Sequence, residues 1–165
     1  MRREEPVARA GKPPMLASSP GGAAPTMTAT ADPTESRPSG DLTVRTIAMP
    51  ADTNANGDIF GGWVMSQMDQ AGGIAGVERA QGRVVTVAVE AMSFIRPVRV
   101  GDVLCVYTRV GHVGRTSMKI QIEAWARRFR TQHREKVTEA TFTFVAIDDE
   151  GRPRPVPPPP VPDRD

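Results

Sequence analysis

The sequence predicts an α+β domain, an antiparallel five-stranded sheet wrapped around one central helix. Three observations predict it. A stretch with few breakers, 62–80, reads as the one long helix. It is apolar on more than one face through Val64, Met65, Met68, Ala71, Ile74 and Val77, so it needs cover on several sides. Five stretches rich in alternating or β-branched residues, one before this helix and four after it, read as strands. Finally, the small run Ala71-Gly72-Gly73 lowers helix propensity, which implies a sheet packed closely against the helix backbone.

In chain order, the first strand spans 42–49 and offers Val44, Ile47 and Met49 as apolar side chains. A turn follows at 54–58, then the helix. The stretch 84–95 is long and β-branched, and it ends at Pro97, where a ladder donor is missing. Strands at 103–113 and 116–128 flank Gly114-Arg115, which reads as a hairpin turn. The polar, positively charged segment 129–135 reads as a loop. The last strand, 136–147, alternates Val137, Phe142 and Phe144 with Thr and Glu. Residues 84–89 form an apolar edge, a pairing hazard that a second copy of the chain would cover.

Proline marks the limits of the domain. Fourteen of the sixteen prolines lie before Leu42 or after Gly151. The domain is accordingly placed at 42–152, with disordered tails at 1–41 (Pro, Ala and Ser-rich) and 153–165 (Pro-rich). No apolar core follows Arg2 and Arg3 as a secretory signal requires, and Glu4 and Glu5 spoil an amphipathic targeting helix. No window reaches the roughly 18 apolar residues of a membrane span. The single cysteine, Cys105, excludes an internal disulfide and sits in an apolar run, so a buried thiol and a cytoplasmic location are expected.

The net charge is +2, yet positions 42–150 hold thirteen Lys or Arg against twelve Asp or Glu. A nearly neutral domain with scattered basic residues argues against nucleic acid and for a local anion site. His112 and His133 have no acidic or cysteine partners at metal spacing, so neither a metal nor a cofactor is expected.

The chemistry is expected in Asn54-Ala55-Asn56-Gly57-Asp58-Ile59-Phe60-Gly61-Gly62-Trp63. Asn, Asp and Gly make this a tight turn feeding a glycine-softened helix start. Asp58 is the candidate catalytic carboxylate; its simpler reading is a helix N-cap. The N–H groups of Phe60, Gly61 or Gly62 are placed to hold an oxyanion. Asn56 holds Asp58 or a substrate carbonyl, or only makes an Asx turn. Asp69, about three helical turns along, is the rival acid, with a buried structural carboxylate as its simpler reading. Glu90, in an apolar strand, reads as an interface or supporting group.

This turn, together with Thr46-Ile47-Ala48-Met49-Pro50 before it, resembles the signature of the hotdog-fold acyl-CoA thioesterases, most like the bacterial YciA-type enzymes. The resemblance continues through Gly82-Arg83-Val84-Val85-Thr86-Val87, Phe94-Ile95-Arg96-Pro97-Val98-Arg99 and Ala140-Thr141-Phe142-Thr143-Phe144, covering about 42 to 155. It implies hydrolysis of acyl-CoA to free acid and CoA, with Asp58 as general base or nucleophile. It places Arg96, Arg99, Arg115, Thr116 and Ser117 near CoA. It also implies homodimers that assemble as a trimer of dimers. The competing reading is a non-catalytic acyl-CoA-binding regulator, against which stand the retained Asp58 and the lack of a helix-turn-helix segment. A hotdog dehydratase would need a histidine near the helix start, and there is none.

Overall fold

A computed structural model describes residues 37–159; the expected N-terminal tail lies outside the described residues up to position 36. The elements are β1 (Asp41–Ile47), a 3-10 turn (Pro50–Asp52), α1 (Gly61–Ala80), β2 (Val84–Val89), β3 (Val103–Val113), β4 (Ser117–Arg127) and β5 (Arg134–Ala146). The strands form a five-stranded sheet in the order β1-β3-β4-β5-β2, every neighbouring pair antiparallel. This is the expected α+β arrangement.

The helix lies against the inner face of the sheet. Val64, Met68, Ala71 and Ala75 from α1 join Leu104, Ile120, Ile122, Phe142 and Phe144 in one core cluster. Gly72 explains how close the approach is. A Cβ there would stand 2.6 Å from the Phe144 ring and 2.8 Å from Ile122 Cδ1, so any side chain would push helix and sheet apart. The neighbouring Gly73 faces nothing within 4 Å, and only one of the two glycines answers to this packing. Cys105 is buried with Tyr107 and Trp125 in a smaller, separate cluster.

Two expectations need correction. The strand expected at 84–95 ends its ladder at Val89, after a register shift between Thr86 and Ala88. Beyond it the chain still clings to β5, where Glu90 N–H donates to Thr141 O and Ile95 N–H to Val137 O. The second correction concerns residues 153–159, which were expected to belong to a disordered tail. Pro153 bridges Ile147, Arg154 N–H donates to Ala146 O, and Val156 packs on the core. The Arg154 side chain donates to Ala80 O at the end of α1, 2.8 Å away, and Arg79 reaches back to Pro157 O. A cation at the helix C-terminus meets the carbonyls that no helical N–H can satisfy. Proline composition misled here because the two side chains that dock the segment, Arg154 and Val156, stand alone among the prolines.

Candidate active site

The turn before α1 is built around Asn54. Its side-chain oxygen accepts the N–H groups of Asn56 at 2.9 Å and Asp58 at 3.1 Å, while Asn54 N–H donates to Asp58 O. Gly57 takes the left-handed conformation at φ 83, which a glycine adopts without strain. Ile59 is buried and bridges Thr53, so the loop is pinned on both sides of Asp58 while Asp58 itself is exposed. Asn54, which sequence reasoning passed over, therefore does what was expected of Asn56. The only sequence signal was a choice among three Asx residues in five positions.

Asp58 is not a helix cap. Phe60 occupies the N-cap position, and no side chain caps the helix. Phe60 N–H is spent on Asp52 O at 2.9 Å, which removes it from the expected oxyanion donors, and Trp63 N–H is spent on Phe60 O. Gly61 and Gly62 hold the N–H groups left at the helix start, with the helix dipole behind them. A Cβ on Gly62 would lie 2.4 Å from the Phe60 ring, so that ring closes down on the helix start only because Gly62 is bare.

An apolar cleft of about 270 Å³ opens beside these glycines, lined by Ile59, Gly61, Val64, Phe94, Pro97 and Val137. Phe94 is the residue sequence reasoning gave no role; a Cβ on Gly61 would touch its ring at 3.4 Å. Such a cleft can take a thioester with its carbonyl at the helix start and its chain along the apolar wall.

The remaining candidates separate. Arg96 lines this cleft. Arg99 follows, with its N–H on Asp102 Oδ2 at 2.9 Å. Asp69 is exposed on α1 and accepts the Thr86 hydroxyl at 2.5 Å, so the expected buried carboxylate is a surface one beside the β2 edge. Glu90 pairs with Lys119 at 2.6 Å, both half exposed. Arg115, Thr116 and Ser117 lie at the far end of the sheet. Thr116 O accepts Ala146 N–H, whereas Arg96 N–H donates to Val137 O. Val137 and Ala146 are nine residues apart on β5, about 30 Å along an extended strand. One chain alone does not bring Arg115 to Asp58.

Sequence reasoning also missed an ion cluster at the Asp58 end. Arg128 donates Nη1 to Asp102 and Nη2 to Glu135, and a further Nη1 contact reaches Pro97 O at 3.1 Å. Burial opposes the Arg128 charge, but the hydrogen bonds it donates to Glu135 and Asp102 raise its pKa above the usual value. The same contact holds the Glu135 carboxyl below its ordinary range. Among the described residues no group of three metal-ligating side chains converges.

Comparison with known proteins decides the family. The thioesterase superfamily profile matches residues 56–130. The acyl-CoA thioester hydrolase YciA of Escherichia coli K12 is 58% identical over 122 residues, covering 72% of this chain and 92% of YciA. The chain belongs to the YciA family of acyl-CoA thioester hydrolases. Solved relatives agree in fold as well as sequence. HI0827, a hexameric broad-specificity acyl-coenzyme A thioesterase, superposes with a TM-score of 0.72 at 54% identity, covering 75% of this chain and 86% of its own. The hexameric thioesterase y2039 of Yersinia pestis gives 0.71 at 56% identity, over 74% and 99% of the two chains. The five-stranded sheet around α1 is thus the hotdog fold.

Proposed function

We propose that this YciA-family chain hydrolyses acyl-CoA thioesters, with Asp58 as general base. The observation that carries the residue assignment is that Asp58 is held in place through its backbone yet caps nothing, next to two unspent glycine N–H groups. Asp58 takes a proton from water, and the water oxygen attacks the thioester carbonyl. The oxyanion rests on the Gly61 and Gly62 N–H groups. As the carbon–sulfur bond breaks, the proton on Asp58 passes to the departing thiolate, giving free acid and CoA. The exposure of Asp58 leaves room for that water, which favours base catalysis over direct attack by the carboxylate. Purified protein offered a panel of acyl-CoAs from short to long should release free thiol; a regulator would bind them and release none.

We assign the working unit to a homodimer within a trimer of dimers, by analogy with the hexameric relatives. Pairing β2 antiparallel with its copy about a twofold axis lays the helix start of one chain beside the far end of the other. That brings the partner subunit's Arg115, Thr116 and Ser117 toward Asp58, which a single chain cannot do. Cys105 as a buried, reduced thiol suits a cytoplasmic enzyme. No described helix is long and apolar enough to cross a membrane.

A further inference from the structure

The chain after β5 runs Pro153-Arg154-Pro155-Val156-Pro157, so only Arg154 and Val156 in this stretch keep a backbone N–H. Both are spent on the fold: Arg154 N–H donates to Ala146 O at 2.9 Å and Val156 N–H to Arg115 O at 2.8 Å. We infer that this segment is a strap whose Val156 N–H positions the loop 114–117 for substrate. The inference rests on the shared-site reading above, in which Arg115, Thr116 and Ser117 serve the thioester held by the other chain, and it deepens that reading.

Three observations carry it. The strap is fixed independently of the loop it meets. Pro153 bridges Ile147, the Arg154 side chain donates to Ala80 O at 2.8 Å and to Ile147 O at 3.2 Å, and Arg79 donates to Pro157 O at 2.8 Å. The end of α1 and the end of β5 thus hold it on both sides of Val156. Second, the alternation of prolines matches this placement. In an extended chain every other N–H aims to the same side, so Arg154 and Val156 donate inward while the prolines stand where an outward N–H would invite another strand. Proline also presets φ, which leaves the strap little conformational freedom to lose when it meets the loop. Third, the loop is held by its backbone and not by its side chains. Gly114 N–H donates to Ser117 O, Ala146 N–H to Thr116 O, and Val156 is the donor to Arg115 O. The side chains of Arg115, Thr116 and Ser117 make no hydrogen bond or ion pair among the described residues, and Arg115 is exposed. A fixed backbone carrying unengaged donors is preorganised for a ligand, and the strap supplies the contact at the residue that carries the charge. Val156 is accordingly a positioning residue, acting through Arg115.

The test uses the full chain and two thioesters of one acyl group, one on CoA and one on N-acetylcysteamine, which lacks the nucleotide. Val156→Pro removes the N–H and keeps an apolar side chain in a run that is already proline-rich, whereas Val156→Ala keeps the N–H and loses packing. Val156→Pro should raise KM for the CoA thioester about tenfold with little change in kcat, and leave the truncated thioester unaffected. Arg115→Gln, the reference for a lost loop contact, should do the same. Val156→Ala should lower the melting temperature and leave both KM values at wild type. A wild-type KM in Val156→Pro beside a raised one in Arg115→Gln would overturn the inference alone. Equal losses on both substrates, or a Val156→Ala variant that copies the rise in KM, would overturn it too. An unchanged KM in Arg115→Gln would take down the shared-site reading, and the inference with it. Should Val156→Pro fail to fold, Arg79→Met decides in its place, since it frees only Pro157 O. A smaller rise in KM confined to the CoA thioester sustains the inference, and no rise overturns it.

Discussion

Asp58 and Asp69 are both exposed acids near the same helix, and their surroundings differ. Asp58 is fixed by its own N–H on Asn54, two residues before the uncapped N-cap Phe60, whereas Asp69 is engaged by the Thr86 hydroxyl. Asp58→Asn keeps shape and hydrogen bonding but removes the base, so kcat should fall by about 10² to 10⁴-fold. Because the side chain caps nothing, the melting temperature should stay near that of wild type. Asp69→Asn should leave kcat within a few fold. Measuring kcat and melting temperature for both variants checks the assignment, and a normal kcat in Asp58→Asn would sink it. The turn that carries Asp58 was legible from the sequence because Asn, Asp and Gly announce it. Its partner was not. Asn54 and Asn56 are chemically equal, and only the backbone path decides which oxygen points inward.

At the scale of elements, hydrophobic patterning placed α1, β1, β3, β4 and β5 within about two residues, whereas the strand expected at 84–95 leaves the ladder at Val89. What it could not place were contacts made by irregular backbone. The Arg128 cluster joins two loops through charged side chains, and no periodic signal announces such a meeting. Glu135 is held below its ordinary value of 4.5, chiefly by its hydrogen bond to Arg128. Its folded-state pKa is therefore below the unfolded one, so the stabilisation is complete above the unfolded value and lost as pH falls through the folded one. Glu135→Gln should lower the melting temperature at pH 7, and its difference from wild type should shrink as the pH falls below the ordinary carboxyl value of 4.5. A melting series from neutral to acid pH reads this directly. The C-terminal segment gives a second test. Ending the chain at residue 152 removes Arg154 from the helix end and Val156 from the core, a loss on the order of 2 kcal/mol. Ending it at 159 and starting it at 37 should cost neither stability nor activity in the same thermal and thiol-release assays.

For the whole molecule, the governing fact is an unfinished sheet. β2 is the last strand in the order β1-β3-β4-β5-β2, and Val85, Val87 and Val89 on it are exposed, Val87 at 55%. Met65, Ile74 and Val77 on α1 are exposed as well. An open edge with apolar side chains invites another strand, and a stable soluble protein covers it. The register shift between Thr86 and Ala88 leaves Val87 outside the ladder with β5. Val87→Lys places a charge on that edge without touching the core of the single chain. Were the chain self-sufficient, this change would be nearly silent, since surface substitutions usually stay within about 0.5 kcal/mol. If β2 pairs with its copy, the two lysines approach each other across the twofold axis and the dimer weakens. Light scattering at micromolar concentration should then show wild type as a dimer or larger assembly and Val87→Lys as smaller species. On the proposed shared site, activity should fall with assembly. A wild-type protein that scatters as a monomer and still hydrolyses acyl-CoA would refute both the pairing and the shared site.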